Sequence, residues 1–232
     1  DEVWVVSRGA GENLRSLGYE GDYIVMENGV DVPRGRVSDE AIAAATGRYD
    51  LPQNVPVFLF VGRLMWYKGI RIILDALKRL REKNVDFRMV FVGEGADGAE
   101  IRSYAEERKL SDRCFFTGAI SDREIIRAWY GRSDLFLFPS TFDTNGLVVR
   151  EAAASGTATV MIRNSCASEG VGDGRNGFCI EENAAAMAAK LEELCRAPEV
   201  MQVVGENAQR ELYVSWETAV QRAMARYEVV ID

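Results

Sequence analysis

The sequence predicts an α/β chain, built on a parallel sheet with helices on both faces. Three observations carry that expectation. Apolar runs of strand length recur along the chain, the clearest being Val57-Phe58-Leu59-Phe60-Val61. A run apolar at every position reads as a strand buried on both sides. Ile70, Ile73, Leu74, Leu77 and Leu80 then recur at helical spacing, so an amphipathic helix follows that strand. The same alternation repeats at intervals too short for anything but strand–helix–strand crossovers, which assemble a parallel sheet.

Residues 3–6 and 23–26 read as strands with a weakly helical stretch between them, and Asn28-Gly29 stops the second. This first unit, residues 1–31, is too small to stand alone. Residues 32–56 are rich in Gly, Pro and charge and read as a crossing segment with one short helix at 39–45. The main domain is expected over 57–212. It opens with the strand 57–61 and a helix over 70–83 that Asn84 ends. Strands are expected at 87–92, 114–116, 135–138, 158–162 and 178–180, and helices at 99–109 and 147–154. Ser121-Asp122-Arg123-Glu124 carries the S-x-x-E pattern of a capping box, which predicts a helix opened by Ser121. Helices fill most of 183–228.

The chain has 232 residues, 47% apolar and 28% charged, a globular composition that excludes a disordered or fibrous protein. Lys and Arg number 28 against 36 Asp and Glu, a net charge of −8. That excludes a general nucleic-acid binder but leaves room for one phosphorylated ligand held by a few placed cations. There is no histidine, which removes His-based triads, metal sites and proton shuttles. Cys114, Cys166, Cys179 and Cys195 form no C-x-x-C pair and read as thiols of a reducing, cytoplasmic compartment. No apolar run is long enough for a membrane-spanning helix. The chain begins Asp1-Glu2-Val3, with neither Met nor a signal peptide, which reads as a piece of something longer.

Sheets of this kind bind ligands at the carboxyl ends of their strands. The first such loop is Gly62-Arg63-Leu64-Met65-Trp66-Tyr67-Lys68-Gly69. Gly62 permits a sharp turn. Arg63 and Lys68 stand near a helix N-terminus, so they read as a diphosphate clamp or, equally, as solvated surface cations. No Walker G-K-[ST] is present. The second loop, Gly93-Glu94-Gly95-Ala96-Asp97-Gly98, is a literal G-x-G-x-x-G. The dinucleotide reading needs a carboxylate about 20 residues on, at the end of the next strand. Asp112 has the spacing but precedes that strand, and the glycines follow the second strand rather than the first.

The loop after residues 135–138 runs Pro139-Ser140-Thr141-Phe142-Asp143-Thr144-Asn145-Gly146 and enters Leu147-Val148-Val149-Arg150-Glu151. Asp143 lies in the loop and Glu151 eight residues on, within the helix. The N–H groups at the start of that helix form an anion cradle. Asp143 reads as a ligand contact or as a capping residue. Glu151 reads as a solvated charge or, set among Ala152, Ala153 and Ala154, as a carboxylate in want of a hydroxyl partner. Thr117-Gly118-Ala119-Ile120 is small and apolar, fit for the face of a nucleobase or for an ordinary turn. Residues 163–177 form a long Gly-, Ser- and Asn-rich loop bordering the site.

In this order the motifs resemble the donor-binding half of a GT-B glycosyltransferase, of the large retaining family 4. The resemblance rests on Val61-Gly62-Arg63-Leu64 with Lys68-Gly69, on Val92-Gly93-Glu94-Gly95, and on Phe116-Thr117-Gly118. It rests also on Pro139-Ser140 with the carboxylates eight apart around Gly146-Leu147-Val148. It spans about residues 57–195, and residues 23–31 resemble the strand and N-G-x-D turn that leave the acceptor domain.

The resemblance implies a Rossmann-like domain that binds a UDP- or GDP-sugar and needs neither cofactor nor metal. Arg63 and Lys68 would hold the departing diphosphate, Gly62 would shape their loop, and Glu151 would hold the ribose. Asp143 would face the transferred sugar. Asn145, Gly146, Leu147 and Val148 would contact sugar and phosphate oxygens, and the loop around Ile120 the base. The family usually has Glu where Asp143 stands, one methylene longer. The acceptor, a sugar or lipid, would be bound by an N-terminal domain of which residues 1–31 are a remnant. Residues 213–232 would pack back towards that domain, so the fragment alone would be inactive. The full protein would be cytoplasmic, with a peripheral place at a membrane left open. Residues 1–29 would either pack closely on the main domain or drive self-association. The alternatives are a nucleotide-binding module without turnover and a sugar-nucleotide epimerase. The epimerase would be expected to need His and a different carboxylate arrangement.

Overall fold

The computed structural model describes residues 2–231; the outer ends of the first and last expected spans, residues 1 and 232, fall outside it. Two parallel sheets are present. The small one pairs β1 (Val3–Val5) with β2 (Tyr23–Val25) around α1 (Arg8–Ser16). After α2 (Asp39–Thr46), the large sheet is built from β3 (Val57–Val61), β4 (Arg88–Val92), β5 (Cys114–Gly118), β6 (Leu135–Phe138), β7 (Ala158–Ile162) and β8 (Phe178–Ile180). Its order is β5-β4-β3-β6-β7-β8, parallel throughout.

The helices of the main domain are α3 (Ile70–Glu82), α4 (Gly98–Glu107), α5 (Arg123–Arg132), α6 (Leu147–Ala154), α7 (Ala184–Arg196) and α8 (Pro198–Glu211), followed by α9 (Trp216–Ile231). α3 packs on α4 and α7; α5 packs on α2 and α6, and α6 on α8. The sheet is therefore covered on both faces, as the sequence predicts. All five residues of β3 and of β7 are buried, which is why their sequences show no polar alternation. Phe58, Phe60, Phe87, Phe91, Phe136 and Phe138 fill the core, each contributing about 1.5–3 kcal/mol by burial.

Strand order reverses between β3 and β6. The chain steps outward from β3 to β4 and β5, then returns to β6 and steps outward to β7 and β8. That switch point opens a crevice between the loops after β3 and β6, the two loops richest in charged candidates.

Element ends differ from the expectation by one or two residues, the usual fraying of boundaries. The capping box is a correction. Asp122, not Ser121, caps α5: its carboxylate accepts from Glu124 N at 2.9 Å and Ile125 N at 3.4 Å. An ionised cap also complements the positive end of the helix, which a serine cannot do.

The first unit packs closely on the rest, one of the two outcomes expected. Ser7 Oγ donates to Thr144 O at 2.6 Å. Arg8 N and Gly9 N, at the start of α1, donate to the Glu169 carboxylate at 2.8 and 2.7 Å. α9 folds back across this unit: Tyr227 meets the Trp4 ring at 4.9 Å, and Arg222 and Arg226 pair with Glu27 and Glu2. All four cysteines are free thiols. Burial pushes Cys195 up to about 11 and Cys114 higher still, so neither is a nucleophile near neutral pH.

Candidate functional site

The cationic loop is held by its neighbours rather than by its own composition. Gly69 adopts φ 76°, and a Cβ there would lie 2.2 Å from Pro139 O. The loop after β3 can therefore touch the loop after β6 only with glycine at that position. Trp66–Lys68 forms one 3-10 turn, and Leu64 is fully buried beneath it. Lys68 Nζ lies 2.9 Å from Asp143 Oδ2, with the two side chains 14% and 21% exposed. Arg63 is exposed and stands over the Tyr67 ring at 5.9 Å.

Asp143 acts with both oxygens. Oδ1 accepts from Gly146 N at 3.0 Å, and from Asn145 N at the 3.5 Å limit, while Oδ2 meets Lys68. Burial alone would raise its pKa, but Lys68 and the Gly146 N–H outweigh that and hold it below the ordinary Asp value. The loop-shaping reading of Asp143 is present in these bonds, and the same side chain lines the cavity with Lys68. Gly146 opens α6 without a side-chain cap on the helix itself, leaving the N–H groups of Leu147 and Val148 free for an anion.

A cavity of about 370 Å³ is lined by Asn13, Arg63, Tyr67, Lys68, Thr141, Phe142, Asp143, Thr144 and Cys166. A second, of about 200 Å³, is lined by Val32, Ser121, Arg123, Ile126, Arg127, Tyr130 and Glu151. Glu151 is thus in a different chamber from Asp143. Its Oε2 accepts from Tyr130 OH at 3.3 Å. Burial raises its carboxyl above the ordinary Glu value, and the Tyr130 bond only partly offsets this. A solvated helix charge would not behave so.

The larger cleft of about 700 Å³, lined by Ser133, Asp134, Ser155, Thr157 and the start of α8, lies at the amino ends of β6 and β7 and holds none of the expected residues.

Of the residues expected at the site, Arg63, Lys68 and Asp143 come together in the first cavity and Glu151 lines the second. Leu147 is partly open at the start of α6. Ile120 is half-buried against the core, one residue before Ser121 of the second cavity. Asn145 departs from the expectation. It is buried behind the loop, its Nδ2 unpartnered, beside Gly146 in a separate small cavity of about 10 Å³.

Asp112 departs from any dinucleotide role as well, being ion-paired with Arg81 and Arg113 ahead of β5. The G-x-G-x-x-G is a buttress. A Cβ at Gly93 would lie 2.0 Å from Gly62 O, and one at Gly95 2.3 Å from Leu64 O. Its glycines admit the cationic loop, not a pyrophosphate. The structure adds Tyr67 and Phe142, which stand in the two candidate loops without a role of their own there, and Asn13, Tyr130 and Arg127, which no local motif marks; Asn13 arrives from the first unit, about 50 residues upstream of Arg63.

The doubly covered parallel sheet thus carries two cations and a cavity at its switch point, with a second chamber beside α5 and α6. The chain belongs to the glycosyl transferases group 1 family, whose model matches residues 44–211. It is 29% identical over 197 residues to a glycogen synthase of Mycobacterium tuberculosis, covering 84% of this chain and 45% of that protein. The chain spans about half the length of the curated relatives it matches.

Among solved structures it resembles Anabaena HepE in complex with UDP and glucose. The TM-score is 0.86 at 22% identity, over 98% of this chain and 62% of that one. It also resembles the C-terminal domain of a group 1 glycosyl transferase family protein, LpcC, from Francisella tularensis. There the TM-score is 0.66 at 22% identity, over 76% of this chain and 93% of that one. At these identities the likeness is one of fold: a Rossmann-like α/β domain of the GT-B type. Among the described residues no helix is long and apolar enough to cross a membrane.

Proposed function

We propose that this chain is the C-terminal, donor-binding half of a retaining, metal-independent family 4 glycosyltransferase, and that it binds a nucleoside diphosphate sugar. The observation that carries this reading is Lys68, largely buried and aimed into a cavity at the switch point beside Arg63. The names of the relatives support it: HepE was crystallised with UDP and glucose, and the LpcC piece is a C-terminal domain.

In this reading the diphosphate lies over the cationic loop and the start of α6. As the bond from the anomeric carbon to the phosphate oxygen breaks, negative charge grows on the leaving diphosphate. Arg63, Lys68 and the N–H groups of Leu147 and Val148 stabilise it, the work a metal ion would otherwise do. Lys68 exchanges its bond to Asp143 for the phosphate, and Asp143 is left facing the sugar. Glu151 accepts from the ribose hydroxyls in the second chamber, with the base beyond it near Ile120 and Ser121. The acceptor, a sugar or lipid, comes from the other half of the protein, so the chain alone binds donor without transferring sugar.

Thermal melts with UDP, GDP and ADP test this. A diphosphate at a hundred times its dissociation constant should add about 2.7 kcal/mol of stability, and the base giving the largest shift identifies the donor. No shift with any of the three at millimolar concentration overturns the reading.

A further inference from the structure

Asp97 stands at the N-cap position of α4 but does not cap it. Its φ of −90° and ψ of 4° lie outside the extended conformation that capping uses, and its side chain makes no cap bond. The carboxylate reaches across to the cationic loop instead: Oδ2 accepts from Trp66 N at 2.8 Å, 31 residues away in sequence. Trp66 is two residues before Lys68 and opens the 3-10 turn that presents it.

The Trp66 ring is clasped from the same side. Tyr104 of α4 meets it edge-on at 5.3 Å. Arg71 of α3 lies against both rings, 4.3 Å from Trp66 and 4.4 Å from Tyr104. Tyr104 OH and Arg108 both bond Asp75, so the clasp is fixed to α3. The indole N–H is buried without a partner, which leaves the ring held by packing and the backbone by Asp97.

We propose that Asp97 is a positioning residue for the diphosphate site, setting where Lys68 stands without touching the ligand. This rests on the reading that Lys68 binds the diphosphate. A bond to the backbone N–H of the turn fixes the loop's height against α4, and Lys68 moves with it. Displacing a charged donor by a fraction of an ångström weakens a charge-assisted bond steeply.

The test uses Asp97→Ser, whose hydroxyl is too short to reach Trp66, and Asp97→Asn, whose amide oxygen can still accept from it. Dissociation constants for UDP and GDP, and for uridine and guanosine, are measured on the whole chain, with Lys68→Ala as reference. Asp97→Ser should lose about tenfold in diphosphate affinity, the worth of one charge-assisted bond, with nucleoside affinity unchanged. Asp97→Asn should stay within about twofold of the parent on the same scale. In Asp97→Ser the Trp66 amide should also exchange its hydrogen faster.

Three results overturn the proposal: full diphosphate affinity in Asp97→Ser while Lys68→Ala loses it, equal losses of diphosphate and nucleoside, or an unchanged Trp66 exchange rate. If Lys68→Ala itself keeps full diphosphate affinity, the underlying site assignment fails, and the proposal with it.

Discussion

The chamber around Lys68 and the chamber around Glu151 hold carboxylates only eight residues apart, in opposite electrostatic states. Asp143 is satisfied: Lys68, the Gly146 N–H and a weak bond from Asn145 hold its charge, and its pKa falls. Glu151 is half-buried with one phenol as its partner, and its pKa rises. The first is a closed arrangement that a ligand must compete with. In the proposed reading the second is an open valence that the ribose completes, since a desolvated carboxylate gains most from new donors. The same helix and its entry loop thus present one carboxylate already fully partnered and one with a single protein partner.

The largest effect that would break this contrast is at Lys68. Lys68→Ala removes the cation and leaves Asp143 charged in a half-closed cavity. Diphosphate affinity should fall by about 1.5–3 kcal/mol, with nucleoside affinity unchanged by calorimetry. Equal losses for both would place the cation elsewhere.

Glu151→Gln comes next. It should weaken nucleoside and nucleoside diphosphate alike by about 1 kcal/mol, the loss of one bond to a hydroxyl. The pH profile sharpens this. Because the folded pKa of Glu151 is raised, its ionised form burdens the fold as pH rises through that value, and the burden is absent below the unfolded pKa. Ribose hydroxyls need the ionised form as acceptor, so nucleoside affinity should fall as pH drops through the raised pKa. In Glu151→Gln that dependence should vanish.

Asp143→Asn should be milder. The amide oxygen can still accept from Gly146 N, so diphosphate affinity should change less than about threefold, under 1 kcal/mol. The sign of its pH effect is opposite to that of Glu151: with a lowered folded pKa, Asp143 stabilises above its unfolded pKa and loses that contribution as pH falls through the folded one. Acid melts of Asp143→Asn should lack this loss. Should Asp143→Asn cost as much diphosphate affinity as Lys68→Ala, Asp143 holds the loop mainly through its charge. The smallest expected effect is none: EDTA should leave diphosphate binding unaltered in a titration, and a Mg²⁺-dependent affinity would count against the two-cation clamp.

The fold was legible because its signals are local. A continuous apolar run marks β3 and helical spacing marks α3, with no knowledge of their neighbours. Arg63, Lys68 and Asp143 are legible as charged residues in loops near glycines, and Glu151 as a carboxylate in a helix among alanines. Their division between two chambers was not, because it depends on Tyr130 of α5 standing next to Glu151, 21 residues away. Asn145 is buried in a small cavity that Gly146 and Ala167 also line, a neighbourhood no periodicity reports. Ser121 and Asp122 adjoin and both suit a cap, so the S-x-x-E pattern points to the serine while local backbone geometry selects the aspartate.

Exchanging a ligand-binding loop between related enzymes works as a modular operation only when the loop touches little else. Here residues 62–69 and 93–97 interlock. The carbonyls of Gly62 and Leu64 lie where Cβ atoms at positions 93 and 95 would be, 2.0 and 2.3 Å away. A transplanted cationic loop would keep its height only over a second loop with glycine at both places. The two segments, whose paired positions are 31 residues apart in the chain, are therefore one unit of inheritance and of engineering, and a chimera that divides them should misplace its lysine even with every cavity-lining residue retained.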